Sequence, residues 1–269
     1  MKTLSVCLIL SASLMPAQEA DRMSIPLTDP SKPATIKVEM MNGDITVRGY
    51  NGREVIIESK AVAERNFRRK RQSAAELEGL KRIDVGGTAF DVEERDNVVT
   101  VKNGMMMGGG SNITLQVPVA STLRLKTMTG TLSVDGVKGE VEANSMNGEV
   151  RITNTEGSVL AHSLNGKVSV ALNRVDEKPM AFSTMNGDID ITLPSDTKAR
   201  FKLKNDHGDV YSDFEMKLES TPKVEGGSRR DDGKYKVKYD RTVYGTVNGG
   251  GPEISFTTLN GQIKIRQKK

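Results

Sequence analysis

Carboxylates, histidines, a basic cluster and methionines are the residues of this sequence whose types and spacing could do chemistry. Glu140, Glu142 and Glu149 lie on neighbouring units of a short repeat. Two carboxylates facing a sugar could serve as the acid and nucleophile, or the acid and base, of glycoside cleavage. Their outward neighbours on following units, Arg151 and Lys167, are basic, and aromatic residues for sugar stacking make up only 4% of the chain. A solvated face of mixed charge accounts for that pattern. Asp188 with Asp190, and Asp206 with Asp209, could hold a cation. Calcium-binding nonapeptide repeats, however, need two glycines and an Asp in every unit, whereas the residues after successive glycines here are Glu140, Glu149, Ser158 and Lys167. His162 and His207 are the two histidines, and no Ser-His-Asp grouping is defined around either.

The densest cationic cluster is Arg65, Arg68, Arg69, Lys70 and Arg71. On a helix, positions 65, 68 and 69 fall near one side and could meet the phosphates of an anionic surface. A solvated helix face explains the cluster too, as it does the terminal Arg266, Lys268 and Lys269. Thirteen methionines suggest a metal-handling surface, but a flexible thioether filling a corner of the core explains their spacing without metal. No catalytic residue, cofactor or metal is therefore expected.

The elements that must position these residues follow from composition and period. The chain has 269 residues, a formal charge of +4, 36% apolar and 28% charged residues, one Cys, two His and no Trp. This excludes a multi-Cys/His zinc site, a disulfide scaffold and a haem or iron–sulfur protein. Gly130, Gly139, Gly148, Gly157 and Gly166 recur every nine residues, with Gly187 and Gly208 following at intervals of 21. Two and four residues after a glycine stand apolar residues, as in Val141/Ala143, Val150/Ile152 and Val168/Val170. Period-two alternation makes each unit a strand of about five residues plus a turn. No unit can bury its own apolar face, so the units must stack.

Alternate glycines are preceded by Met128-Thr129, Met146-Asn147, Leu164-Asn165 and Met185-Asn186, the others by Val137-Lys138 and Thr155-Glu156. One coil is thus 18–21 residues long with two unlike corners. Stacking places the turn residues Asn147-Gly148, Asn165-Gly166 and Asn186-Gly187 in columns, where asparagine amides can bond from rung to rung. Met128, Met146, Leu164 and Met185 are expected to form the neighbouring column, pointing inward. The same phrase at Met41-Asn42-Gly43 and Leu259-Asn260-Gly261 extends the stack over nearly the whole chain. The fold expected is all-β: a right-handed β-solenoid, parallel β-helix-like. Residues 61–82, rich in Glu, Arg, Lys, Ala and Leu, read as one inserted α-helix between strands at 54–59 and 97–102, able to cap an open end. Residues 212–251 read as a C-terminal hairpin excursion containing the alternating run 234–239.

Lys2, the apolar run from Leu4 to Met15, Pro16 and Ala17 read as a signal peptide over residues 1–20, too short to span a membrane. Its removal takes the sole cysteine, Cys7, and leaves residues 21–269 as one solenoid domain for the periplasm, the cell surface or the medium.

The recurring apolar-Asn-Gly-polar-Ile/Val-x-Ile/Val phrase comes with Leu193-Pro194-Ser195-Asp196, Asp206-His207-Gly208-Asp209-Val210 and Gly249-Gly250-Gly251-Pro252-Glu253-Ile254. Together they resemble the bacterial putative-adhesin family of β-strand-repeat proteins of unknown function, over about residues 36–266. The resemblance implies an exported β-solenoid linked to adhesion, in some relatives to envelope stress responses, with no catalytic residues to transfer. The expected role is a non-enzymatic module that contacts envelope or extracellular components through a rigid repetitive face, whether glycan, protein or anionic lipid. The alternative is an envelope-stress sensor or regulator that uses the basic cluster. Nucleic acid is not an expected partner.

Overall fold

Strands that alternate apolar and polar residues gain stability only when a second sheet covers their apolar face and neighbours satisfy their backbone polar groups. The computed structural model describes residues 21–61, 90–103, 110–219, 224–225, 238–239 and 242–269. Among the described residues every regular element is a strand: β1 (Asp21–Pro26), β2 (Thr35–Asn42), β3 (Ile45–Tyr50), β4 (Glu54–Ala61), β5 (Phe90–Arg95), β6 (Val98–Asn103) and β7 (Ser111–Pro118). The regular array follows as β8 (Thr122–Thr129), β9 (Leu132–Asp135), β10 (Val141–Asn147), β11 (Val150–Thr155), β12 (Val159–Asn165), β13 (Val168–Leu172), β14 (Met180–Asn186) and β15 (Ile189–Pro194). The rest are β16 (Ala199–His207), β17 (Val210–Ser212), β18 (Lys217–Glu219), β19 (Val224–Glu225), β20 (Lys238–Tyr239), β21 (Val243–Val247), β22 (Glu253–Asn260) and β23 (Ile263–Lys268).

From β8 to β15 the chain alternates between two sheets, one strand in each per coil, and strands of successive coils pair in parallel. Val141 lies beside Leu123 and Val159, 18 residues away on either side, and Leu160 beside Ala181, 21 residues on. Chain order then breaks at both ends of the stack. β22 lies between β14 and β16, and β23 between β15 and β17; β2 lies between β8 and β6, and β3 between β9 and β7. The coil carrying Asn42 and the coil carrying Asn260 are therefore inserted inside the stack, each held by a parallel neighbour on both sides.

Antiparallel strands occupy the outer positions. β4 and β1 extend one sheet beyond β7, β5 extends the other beyond β6, and β21 and β18 lie beyond β16 at the far end. The β5–β6 hairpin turns through Asp96 and Asn97, both at positive φ (52° and 62°), the conformation a two-residue hairpin of this hand requires. The helix expected over 61–82 lies outside the described residues apart from Ala61, which ends β4, and the described residues include no helix. Of the run 234–239, only β20 is described, paired antiparallel with β19.

The core lies between the two sheets. Along one runs Val38, Leu125, Ala143, Ala161, Phe182, Phe256 and Leu203, and along the other Val47, Val134, Ile152, Val170, Ile191 and Ile265. All are buried. The small alanines of the middle coils give way to an aromatic cluster toward the C-terminal end. There Phe256 packs 5.6 Å from Phe182 and edge-on at 5.4 Å to Phe201, centroid to centroid.

Glycine is needed at the corners because backbone meets backbone there. A Cβ on Gly148 would lie 2.0 Å from the Gly130 carbonyl oxygen, and one on Gly166 would lie 2.1 Å from that of Gly148. Gly166→Ala is expected to cost about 2–4 kcal/mol, since neither coil can move without breaking register; a urea unfolding midpoint measures it.

The segment before β2 is tied down by polar contacts. Asp29 N–H donates to Asn97 Oδ1 (2.6 Å), and Asn97 Nδ2 donates back to the Asp29 carbonyl (2.6 Å). The Asp29 carboxylate accepts from Ser31 Oγ (2.6 Å) and Ser31 N–H (3.1 Å) and sits 3.0 Å from Lys32 Nζ. These bonds, the Ser31 hydroxyl first, lower its pKa from 3.8 to about 2. A carboxylate with a depressed folded pKa stabilises the fold above its unfolded value, and that contribution fades as pH falls from 3.8 toward about 2. Carboxyl NMR titration should place Asp29 near 2, and Ser31→Ala should move it up.

Candidate functional site

After Gly139 the alternation runs on for one more step than the apolar residues show. Val141, Ala143 and Ser145 are buried, so Glu142, Asn144 and Met146 point out. From β8 to β14, and again in β22, the corner position just inside the coil belongs to a hydroxyl. Ser145 Oγ donates to the Gly130 carbonyl (3.2 Å), Ser163 Oγ to Gly148 (2.9 Å), Thr184 Oγ1 to Gly166 (3.0 Å) and Thr258 Oγ1 to Gly187 (3.2 Å). Each such bond contributes about 1 kcal/mol and ties one coil to the next.

This corrects the expected inward methionine column. Met128, Met146 and Met185 are 41%, 46% and 45% exposed, and Leu164 is half-buried on the same outer side. The reason is parity: the buried Thr127, Ser145, Ser163 and Thr184 precede them, and adjacent strand residues face opposite ways. Met41, 39% exposed, joins the row. The pairs Met40↔Thr127 and Asn42↔Thr129 bracket it opposite Met128. The outer row thus runs Met41, Met128, Met146, Leu164, Met185, Leu259 across six adjacent strands. Beside it runs a polar row of Glu39, Lys126, Asn144, His162, Ser183 and Thr257. A groove of about 730 Å³ opens where these rows meet, lined by Met41, Met128, Met146 and Leu164 together with His162 and Lys126.

Along the corner next to the groove, Asn165 Nδ2 donates to Asn147 Oδ1 (2.9 Å), Asn186 Nδ2 to Asn165 Oδ1 (2.8 Å) and Asn260 Nδ2 to Asn186 Oδ1 (2.8 Å). Gly148, Gly166 and Gly187 stack behind them, each Cα against the carbonyl of the glycine one coil back. Positive φ is not what the asparagines supply: among the described residues the non-glycine positions with positive φ are Asp96, Asn97, Asn154 and Asn248. Arg65, Arg68, Arg69, Lys70 and Arg71 lie outside the described residues.

The acids weighed for catalysis each have a partner. Glu149 holds Arg151 at 2.7 Å, Glu142 accepts from Asn144 Nδ2 at 3.1 Å, and Glu140 pairs with Lys178, whose pKa that carboxylate raises. Asp190 lies between Lys167 and Arg266, at 3.2 Å from each, and Asp188 Oδ1 accepts the Gln262 N–H at 2.9 Å. Asp135 accepts from Thr153 Oγ1 and Asn154 Nδ2, both at 2.7 Å, which lowers its pKa. Among the described residues no group of three or more His, Cys, Asp or Glu converges on a point. Sequence reasoning missed the groove, although extending the alternation by two residues past Ala143 was signal enough to find it.

A sequence model described as Toastrack DUF4097 matches residues 9–266. The chain belongs to that family. Its Toastrack fold is similar to a solved structure from Clostridium sporogenes described as a putative cell adhesion protein. Identity there is 13% and the TM-score 0.42, over 93% of this chain and 100% of that one. It is also similar to a solved putative adhesin of Bacteroides fragilis, at 12% identity and a TM-score of 0.39, over 95% of this chain and 100% of that one. A comparison with curated proteins finds no match.

The outward placement of the Toastrack methionines has a direct check. Met146→Ala should change unfolding free energy by no more than about 0.5 kcal/mol, as surface substitutions do. Phe182→Ala, in the aromatic cluster, should cost about 3–5 kcal/mol. Chemical denaturation of the two variants against the parent protein decides it.

Proposed function

We propose that this Toastrack protein is an exported, non-enzymatic interaction module that contacts cell-envelope or extracellular components through the outer face of its stack. The observation that carries the reading is the set of outward rows, repeated at strand spacing on a scaffold whose corners are locked by glycine stacking and amide and hydroxyl bonds. A surface already ordered loses little conformational entropy on binding, and repeated weak contacts sum. The methionine row adds adaptable apolar surface beside charged residues, a combination suited to partners of varied shape. The paired state of Glu140, Glu142 and Glu149 supports a non-enzymatic face, since carboxylates held by Lys178, Asn144 and Arg151 are poorly placed to act as a catalytic pair. The resemblance of the sequence to the adhesin-type repeat family supports the same role, and residues 1–20 support export to the periplasm or beyond. A right-handed winding belongs to this reading, because parallel strands joined by crossovers take that hand almost always.

Two measurements test it. Fractionation of the producing cell should place the protein outside the cytoplasm. Purified protein should bind whole cells or isolated wall material saturably, and Met128→Asp with Met146→Asp should weaken that binding by about tenfold or more. Cytoplasmic retention, or no saturable binding, would reject the proposal.

A further inference from the structure

We infer that Asn51 is a site of spontaneous covalent change, where the Gly52 backbone nitrogen closes on the Asn51 side chain to give a succinimide that water opens to aspartate and isoaspartate. Asparagine before glycine is the pair most prone to this reaction, because no side chain shields the attacking nitrogen. The sequence holds eight such pairs, beginning at Asn42, Asn51, Asn103, Asn147, Asn165, Asn186, Asn248 and Asn260. Gly104, the partner of Asn103, lies outside the described residues. The other seven pairs share one chemistry, so the fold alone ranks them.

Five of the seven are corners of the stack, and there the attacking nitrogen is occupied. The N–H groups of Gly43, Gly148, Gly166, Gly187 and Gly261 donate to the carbonyls of Thr129, Asn165, Asn186, Asn260 and His207, at 2.9–3.1 Å. Attack needs that N–H released and the peptide rotated toward the asparagine Cγ. Each of these glycines is also pressed against a backbone carbonyl of a neighbouring coil, so the rotation requires the coil to open. Exposure does not separate the pairs, since Asn147 and Asn165 are exposed as Asn51 is.

Asn51 lies in the turn between β3 and β4, and neither its amide nor the Gly52 N–H has a hydrogen-bond partner among the described residues. The bonds that hold this turn pass around the pair: Tyr50 Oη donates to the Glu54 carbonyl (2.7 Å), and the Tyr50 carbonyl accepts the Val119 N–H (3.2 Å). Rotation at Asn51 therefore breaks none of them. Asn248 comes second. The Gly249 N–H is free as well, but Asn248 Nδ2 donates to the Ser195 carbonyl (3.2 Å) and the Thr197 carbonyl (2.9 Å), and the Gly250 N–H closes the turn onto the Val247 carbonyl (2.9 Å).

In the ring closure the Gly52 nitrogen gives its proton to solvent and forms a bond to Asn51 Cγ, while the Cγ–Nδ2 bond breaks and Nδ2 leaves as ammonia. Water then adds at Cγ, restoring the ordinary main chain with aspartate, or at the main-chain carbonyl, routing the chain through Cγ as isoaspartate. Either product adds one negative charge. Isoaspartate also lengthens the main chain in the turn that joins β3 to β4 across the intervening β7. The inference is independent of what the outer face binds.

The test incubates the full chain, folded, in mildly alkaline buffer and follows each Asn-Gly pair by proteolytic peptide mapping, with fragmentation to assign the converted residue and chromatography to resolve isoaspartate. Asn51 should convert at least about tenfold faster than any of Asn42, Asn147, Asn165, Asn186 and Asn260, with Asn248 between, because local opening is cheap in a turn and costly in a coil. In urea-unfolded protein the seven rates should converge, which assigns the difference to the fold. Asn51→Gln should abolish the fastest acidic species on isoelectric focusing and leave the unfolding midpoint unchanged. Conversion of Asn51 no faster than that of the corner asparagines, or the same ranking in the unfolded chain, would overturn the inference.

Discussion

Each turn of the stack depends on the approach of one backbone to another at the glycine corners. Parallel strands can repeat in register only if every coil advances by one strand spacing, and at the corner that advance presses the Cα of one glycine against the carbonyl of the glycine one coil back, as with Gly148 on Gly130 and Gly166 on Gly148. A side chain there would occupy the space the carbonyl holds. The same contact sets what stands around it: a buried hydroxyl at 145, 163 or 184 bonds that carbonyl from inside, and an asparagine ladder runs along its outer edge. With the corner filled by backbone and hydroxyls, the methionine after the hydroxyl must face water. The exposed apolar row is therefore a consequence of how the corner closes.

The arrangement of the ends answers the hazard of open sheet edges. A chain that simply wound from one end to the other would leave its first and last coils as parallel edges. Here the coil made by β2 and β3 and the coil made by β22 and β23 are each inserted one place inward, between parallel neighbours, and antiparallel strands take most of the outer positions. Both conserve the Asn-Gly corner, so Asn42 and Asn260 fall into the same columns as the central repeats. Short β17 and β18 finish the far edges.

A scaffold of this kind spends its apolar side chains between the sheets and its hydroxyls at the corners. What remains for recognition is the outside, where each strand position becomes a row repeated from coil to coil. Most outer rows mix charges and neutralise themselves, as Glu149 does with Arg151 and Asp190 with Lys167 and Arg266. The row from Met41 to Leu259 differs because it is apolar, continuous and beside a polar row containing His162. That difference makes the groove there, rather than an acid pair, the surface with apolar area left for a partner.

The sequence by itself determined the all-β class, the coil length and the columns of glycine and asparagine, because a nine-residue glycine spacing with period-two apolar residues is a local code for strand and corner. It also showed that the acids around Glu140 and Glu149 alternate with bases. Hydrophobicity is the wrong guide one step further along: methionine's apolar character points Met146 inward, whereas parity from Val141 through Ser145 sends it out, and Ser145 is worth burying only because the Gly130 carbonyl one coil away awaits its hydrogen. Only the tertiary structure decided such matters, since they depend on residues far apart in the chain. The insertion of β22 beside β14, joining Ile254 to Met180 across 74 residues, has no local signal at all. Nor does the meeting of Met41 with Met128 and Met146, which exists because strand pairing places β2 in a slot that chain order would not have given it.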